Sequence, residues 1–592
     1  MSKTFGKKDE TVTDAVDVLV LCLGDIATPK FTTTQLRHRR AKLMKTPISF
    51  NPNRILSYLR LSAALVLTFG AALALLAAFT STTGVAVAQA SPKPAAFPPI
   101  PPKKNASSRT ATAAAIAAPS SPWQLLNNQP PVLDYTNCGP GNPILLTDGT
   151  VLVQDNGCQD WWKLTPDAFG SYVNGTWTQI ASTPSGYSPL YHSSAVLPDG
   201  RVIIEGGEYN FLQAVWTNKG AIYDPIANTW TMINPPNGWS TIGDAQGIVL
   251  SNGTFMQANC CTTQAALFDP ATLTWIPTGT GKFDVHDEEG WTLLPNREVL
   301  TVDAYVFQYD ASGMNSELYN PASGSWFSAG NTVAQLWDSA VKCGGKNHAS
   351  FEVGPGVLRA DGTVFYTGAS RCGPAHTAIY NSVTGTWKAG PDFPDSLGIA
   401  DGPAALEPNG KVLMMTSPGV FNIGARFFEW DGAGLNEVAA APNAANDSSF
   451  YGNFLVLPNG QILFTDFYFV SVYTPAGSYN PAWAPRIQSA PSNVKPGGSY
   501  SISGFLFNGM SEGAAYGDDQ QSSTNYPLVR ITNNKTGHVS YSRTHNHSSM
   551  AVASNDLVST RFEVPAGQER GPSQLVVVAN GIPSAPISIV VD

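Results

Sequence analysis

The chain has 592 residues, of which only 13% are charged, while Gly (54) and Pro (45) are plentiful. That length exceeds one ordinary domain, and that composition suits many turns and few helices. A formal net charge of −9 argues against nucleic acid or anionic lipid as the natural partner.

Basic residues cluster near the N-terminus at Arg37, Arg39, Arg40, Lys42, Lys45, Arg54 and Arg60, ahead of an uncharged apolar stretch at 61–79. The small-residue pattern Ala88-Gln89-Ala90 follows. A basic region, an apolar core and a small-residue site together predict a secretory signal, with Met44 as an alternative start. Uncleaved, the same stretch is long enough to anchor the chain in a bilayer with its basic side inside. Both readings place the folded part outside the cytoplasm, extracellular or in the cell envelope, and membrane contact is expected only through this segment. Residues 1–90 are therefore read as extension and leader or anchor, and 91–122, rich in Pro, Ala and Ser, as a linker.

Of seven cysteines, Cys22 precedes the leader and six remain. Pairs Cys138–Cys158 and Cys343–Cys372 would each lie within one repeat, and Cys260–Cys261 would be a vicinal bridge, although sequence does not fix connectivity. No C-x-x-C spacing favours zinc.

Between 135 and 475 one phrase recurs: an apolar run, an Asp-Gly or Asn-Gly turn, and another apolar run. The turns fall at Asp148-Gly149, Asp199-Gly200, Asn252-Gly253, Asn296-Arg297, Asp361-Gly362, Asn409-Gly410 and Asn459-Gly460. Such turns favour residues tolerant of positive φ, so each phrase predicts a β-hairpin. A second phrase follows in most repeats: YDPIANTW, FDPATLTW, YNPASGSW, YNSVTGTW. A period near 50 residues, rich in β-branched and aromatic side chains, matches kelch blades. The predicted fold is all-β: a seven-bladed kelch-type β-propeller over 123–484. Its last blade is expected to borrow a strand from the start of the domain, leaving no open edge. From 485 to 592 short alternating strands, such as SYSISGFLF and SQLVVVA, predict an immunoglobulin-like β-sandwich.

Propeller sites sit on the axis, where each innermost strand begins. Eight residues before the turns stand Tyr191, Asp244, Glu288, Asp401 and Tyr451, and one residue further on are His192 and Glu289. Acids crowded there would have raised pKa values unless a cation or hydrogen bonds compensate. These five are the candidate catalytic residues. In RTHNHSSM, His545 and His547 lie two apart on a strand-like run, so they share one face and can offer imidazole to a metal. His286-Asp287-Glu288-Glu289 has ligand-type residues too, and reads equally well as a solvated loop.

The kelch blades, the phrase LYHSSAVLPDGRVIIEGG and the C-terminal Thr-His strand resemble the galactose oxidase and glyoxal oxidase family, over roughly 123–592. That resemblance implies a secreted copper-radical oxidase acting on a carbohydrate or a small alcohol or aldehyde. Its copper would be held on the axis by two tyrosines and two histidines, one tyrosine thioether-linked to a cysteine. Tyr191 falls at the position of the cross-linked tyrosine, and His545, or its rival His547, at that of the C-terminal histidine. Where the family keeps Tyr-His in the last blade this chain has Phe450-Tyr451, and Cys138 stands two positions out of register. The implied metal site, Tyr191 with His545 and His547, is thus an altered one. Three functions are compatible: an oxidoreductase with altered metal site, a non-catalytic glycan- or protein-binding propeller of the same descent, and a hydrolase or lyase using Asp244, Glu288 and Asp401 as acid and base.

Overall fold

The computed structural model describes residues 121–131, 138–305, 314–338, 350–371 and 373–592. The leader or anchor segment, nearly all of the linker and the Cys343–Cys372 pairing lie outside the described residues. Among the described residues, no helix is long and apolar enough to cross a membrane.

Seven antiparallel sheets, six of them four-stranded and the sixth in sequence enlarged to six strands, follow one another, innermost strand first, and are numbered here as blades 1 to 7. Their innermost strands are Pro140–Leu145, Ser193–Val196, Gly247–Val249, Thr292–Leu293, Val353–Leu358, Ala404–Leu406 and Asn453–Val456. Blade 7 takes its outermost strand from the other end of the domain, since Trp123–Leu125 pairs with Val470–Tyr473. The indole of Trp123 is buried against Phe427, Phe464 and Tyr473, so the clasp is packed as well as hydrogen-bonded.

The repeated turns explain the repeated strands. In each, the Asp or Asn carbonyl-type oxygen accepts the backbone N–H two residues on, for example Thr150 to Asp148 at 3.0 Å and Lys411 to Asn409 at 2.8 Å. Positive φ is confined to the next residue, the glycine, from 76° at Gly149 to 90° at Gly410. Arg297 adopts the same conformation at 74° without being glycine, at a cost of about 1 kcal/mol. The Trp-ending phrase has a packing role. Trp230 stacks on Tyr223 in its own blade and donates its indole N–H to Ala181 of the preceding one at 2.9 Å. Trp275 repeats the arrangement with Phe268 and Asn234.

The C-terminal module folds as two facing sheet halves joined by one long strand. The first part of Val539–His545 pairs with Leu528–Asn533, and its last three residues pair with Val558–Glu563. Ile502, Phe507, Val529, Ile531, Phe562 and Val577 fill the space between the halves. This module docks on the turn face of the propeller: Thr544 N–H donates to Thr147 O, His547 N–H to Pro198 O, and Met550 N–H to Ser251 O.

Cys138 and Cys158 are disulfide-bonded, with Cα atoms 6.0 Å apart. Cys260 and Cys261 are not bridged, which corrects the expectation of a vicinal disulfide.

Candidate functional site on the propeller axis

One excursion from the C-terminal module reaches the axis. Ala514–Ala515 adds antiparallel to Ala404–Ala405 of the blade 6 inner strand. Beyond it Tyr516 donates its hydroxyl to Phe450 O at 2.9 Å, and the chain returns past blades 1 and 2, where Ser194 donates to Gln521 O and Ser522 to Pro143 O. The backbone passes so close to blade 4 that a Cβ on Gly290 would stand 2.1 Å from Gly517 O. At the tip stand Asp518 and Asp519, 4% and 1% exposed.

Around that tip the blade corners deliver acids. Tyr191, Glu288 and Asp401 all have left-handed backbones, with φ of 51°, 56° and 49°. For non-glycine residues that conformation costs roughly 1–3 kcal/mol each and turns the side chain where an ordinary strand residue would not point. Glu352 follows Phe351, also at positive φ (66°), and its N–H is held by Asp338 at 3.1 Å. Glu288, Glu352 and Asp401 each place a carboxylate oxygen within 4.8 Å of the other two.

Burial, first of all, pushes these carboxyls up, and their mutual repulsion adds to it. Glu288 is raised well above the ordinary glutamate range by burial and then by Glu352 and Asp518. Glu352 is raised by burial and by Asp401. Asp401 is pushed up to about 7, a hydrogen bond with Glu352 limiting the rise. Asp518 and Asp519 follow the same pattern, with Asp401 as their largest charged neighbour. On the blade 2 and 3 side Glu208 is raised by burial and by Asp244, and Asp244 by burial. Among the described residues, no Lys or Arg is a leading influence on any of these seven.

An aromatic wall completes the mouth. Tyr191, Tyr209, Phe450, Tyr451, Phe467 and Tyr516 form one cluster. Tyr191 lies stacked 6.4 Å from Tyr516 with its hydroxyl buried and without a hydrogen-bond partner, under the influence of Glu208, Asp519 and Asp401. Phe211 and Phe421 stay 43% and 42% exposed, and Phe421 packs edge-on against Phe450.

Of the residues singled out in sequence, Tyr191, Asp244, Glu288 and Asp401 thus meet in one electrostatically coupled group. Tyr451 joins the aromatic cluster, but the carboxyl bearing on it is Asp447. His545 and His547 do not approach the group, which corrects the expected histidine ligands. They sit on the turn face, where His545 Nε2 lies 2.8 Å from Glu563 Oε1 and His547 Nδ1 lies 2.8 Å from Thr560 Oγ1. The seven residues from Tyr191 to Pro198, the backbone partner of His547, include an extended strand, so the two ends are about 20 Å apart. His192 is turned into the blade, 2.8 Å from Gln154 Oε1, and burial drops it to about 4. His286 is likewise held by Glu289 at 2.9 Å.

Sequence reasoning missed Glu208, Glu352, Asp518, Asp519 and Tyr516. Glu352 stands one residue before Val353, which lies eight residues ahead of the Asp361-Gly362 turn. The Tyr516-Gly517-Asp518-Asp519 run carries two adjacent acids beside a glycine, and that was the available signal.

The copper implied by family resemblance was tested against these donors. Among the described residues the axial group offers carboxylate and phenol oxygens, with the Cys260 thiol beside Asp244, and no imidazole, and Cys138 is committed to Cys158 rather than to Tyr191. Hard oxygens suit Mg, Ca or Mn, whereas copper prefers nitrogen and sulfur. Among the described residues, the two-tyrosine, two-histidine set of a copper-radical centre is not assembled.

No protein-family model matches the chain. Over 126 residues it is 26% identical to the kelch-like protein terF of Aspergillus terreus, a match covering 21% of this chain and 26% of that protein. The chain therefore spans about a quarter of the length of that curated relative. Among solved structures, a fungal alcohol oxidase of the AA5 family in complex with copper is similar at TM-score 0.42 and 14% identity, covering 78% of this chain and 98% of the other. Virginiamycin B lyase from Staphylococcus aureus is similar at TM-score 0.40 and 10% identity, covering 60% of this chain and 98% of the other. The chain is all-β, and over the matched 126 residues it resembles a kelch-like protein.

Proposed function

We propose that this is an exported propeller enzyme that cleaves a bond in a hydroxyl-rich, carbohydrate-like substrate by carboxyl acid–base chemistry, as a hydrolase or lyase. The observation carrying this reading is the donor set at the mouth: Glu208, Asp244, Glu288, Glu352, Asp401, Asp518 and Asp519 converge there, with no imidazole among the described residues. Among the described residues the implied copper ligand set is not assembled, whereas coupled acids of unequal proton affinity supply both a proton donor and a proton acceptor. Glu208, raised by burial and by Asp244, suits the donor to a leaving oxygen. Asp244, beside it, suits the acceptor of a proton from water or from a substrate carbon. The exposed rings of Phe211 and Phe421 offer apolar faces to sugar rings. The disulfide Cys138–Cys158 accords with an oxidising compartment.

The test is a panel of neutral and uronic-acid polysaccharides incubated with purified protein, with and without oxygen. New reducing or unsaturated ends are expected in both, with no peroxide, and Asp244→Asn is expected to slow the reaction by about 10²-fold or more. Copper- and oxygen-dependent peroxide would restore the oxidase reading. Saturable glycan binding without product would support the non-catalytic one.

A further inference from the structure

We propose that the carboxylates of Glu288, Glu352 and Asp401, with the hydroxyl of Tyr191, bind a hard divalent cation of the Ca²⁺ or Mn²⁺ class on the propeller axis. This rests on the reading that the axial mouth is the functional site, and it assigns that site a metal different from copper.

The first argument is geometric. Three oxygens from three different blades lie within 4.8 Å of one another. Ligands on opposite sides of a Ca²⁺ ion, each bonded at about 2.4 Å, are separated by about that much. The second is an unspent donor. Tyr191 is 8% exposed, its hydroxyl has no hydrogen-bond partner, and Glu208, then Asp519 and Asp401, are the carboxyls bearing on it. One Glu352 oxygen is similarly buried without a partner. Burying such groups unpaired is unfavourable, so each calls for a partner.

The third argument is a comparison within the molecule. A second trio, Asp284, Asp303 and Glu317, is buried in blade 4. There the chain supplies its own cation: the ammonium of Lys282 sits 2.8 Å from Asp303 and 2.7 Å from Glu317, and also contacts Asp284. The axial trio has no such amine among the described residues. Where this protein buries a carboxylate trio for structure it neutralises it, and among the described residues no Lys or Arg is ion-paired to the axial trio.

The test uses the full chain stripped with EDTA and titrated with Tb³⁺, whose emission is sensitised by nearby tyrosine and which occupies Ca²⁺-type sites. Sensitised emission should appear and be displaced by Ca²⁺ or Mn²⁺. Glu352→Gln and Asp401→Asn should each weaken Tb³⁺ binding by about tenfold or more, because ligand charge tunes such sites. Tyr191→Phe should weaken it less, and Glu569→Gln, on the sandwich, should leave it unchanged. No emission from the wild type, or equal affinity in Glu352→Gln and Asp401→Asn, overturns the proposal. Polysaccharide cleavage that persists in EDTA-stripped, non-binding protein refutes the cation and keeps the acid–base reading. Tb³⁺ and Ca²⁺ binding without any cleavage keeps the cation and refutes that reading.

Discussion

Residue identity at the blade corners decides what the axis can do. Tyr191, Glu288 and Asp401 were legible because counting back from each turn aligns equivalent corners, and their left-handed backbones mark the same positions independently. His545 and His547 misled because a strand-like His-x-His tells which face two side chains share and nothing about which end of a channel that face meets. Two outcomes follow at this scale. His545→Ala should leave cation binding unchanged, since the side chain engages Glu563 on the turn face, and terbium titration of that variant checks it. Cys138→Ser should lower stability by about 2–4 kcal/mol while sparing the axial chemistry, as thermal denaturation and the cleavage assay would report. The mass deficit of the intact protein at Cys138 should disappear on reduction, as a disulfide's does and a thioether's does not.

At the scale of elements, the hairpins and Trp phrases were readable because their interactions are local: a turn side chain two residues from its N–H, an aromatic pair seven residues apart. The axial excursion from Ala514 to Ser522 was not. Its run of small and polar residues has no periodicity, and its conformation is imposed by pairing with Ala404–Ala405, over a hundred residues earlier. That dependence makes Gly290 a sensitive position. In Gly290→Ala the new methyl would meet Gly517 O at 2.1 Å, a backbone atom rather than the end of a flexible side chain. Overpacking of this kind costs about 1–3 kcal/mol. The variant should therefore melt lower and lose terbium binding together, and unaltered binding would show that the excursion does not organise the site.

For the whole molecule, the blade period was readable in sequence, while the burial of so many acids was visible only once the chain was folded. Glu289, Glu317 and Glu407 lie in blades 4 and 6, and burial, above all, lifts each to about 8. Each folded value exceeds the ordinary glutamate value of about 4.3. The folded chain then holds more protons than the unfolded chain between about pH 4.5 and 8. Stability present in acid is lost as pH rises through that window, so melting temperature should fall from pH 5 to pH 8.5 in EDTA. A rise over that range would contradict the burial of these groups as protonated acids. Ring closure gives the other global expectation. Trp123→Ala removes a buried indole from the clasp, should cost about 3–5 kcal/mol, and should expose the edge of Val470–Tyr473, giving aggregation on heating that light scattering would detect.

The clasp also sets a schedule. Trp123–Leu125 emerges from the ribosome or translocon ahead of every other propeller strand, and its partner Val470–Tyr473 comes last. Blades 1 to 6 can each assemble from contiguous chain, but blade 7 waits until about 350 residues have been made, holding one apolar strand unpaired for that whole interval. The slowest contact to form is thus the one that makes the ring continuous, and a chain cut short before residue 470 would carry six blades and an unmatched first strand.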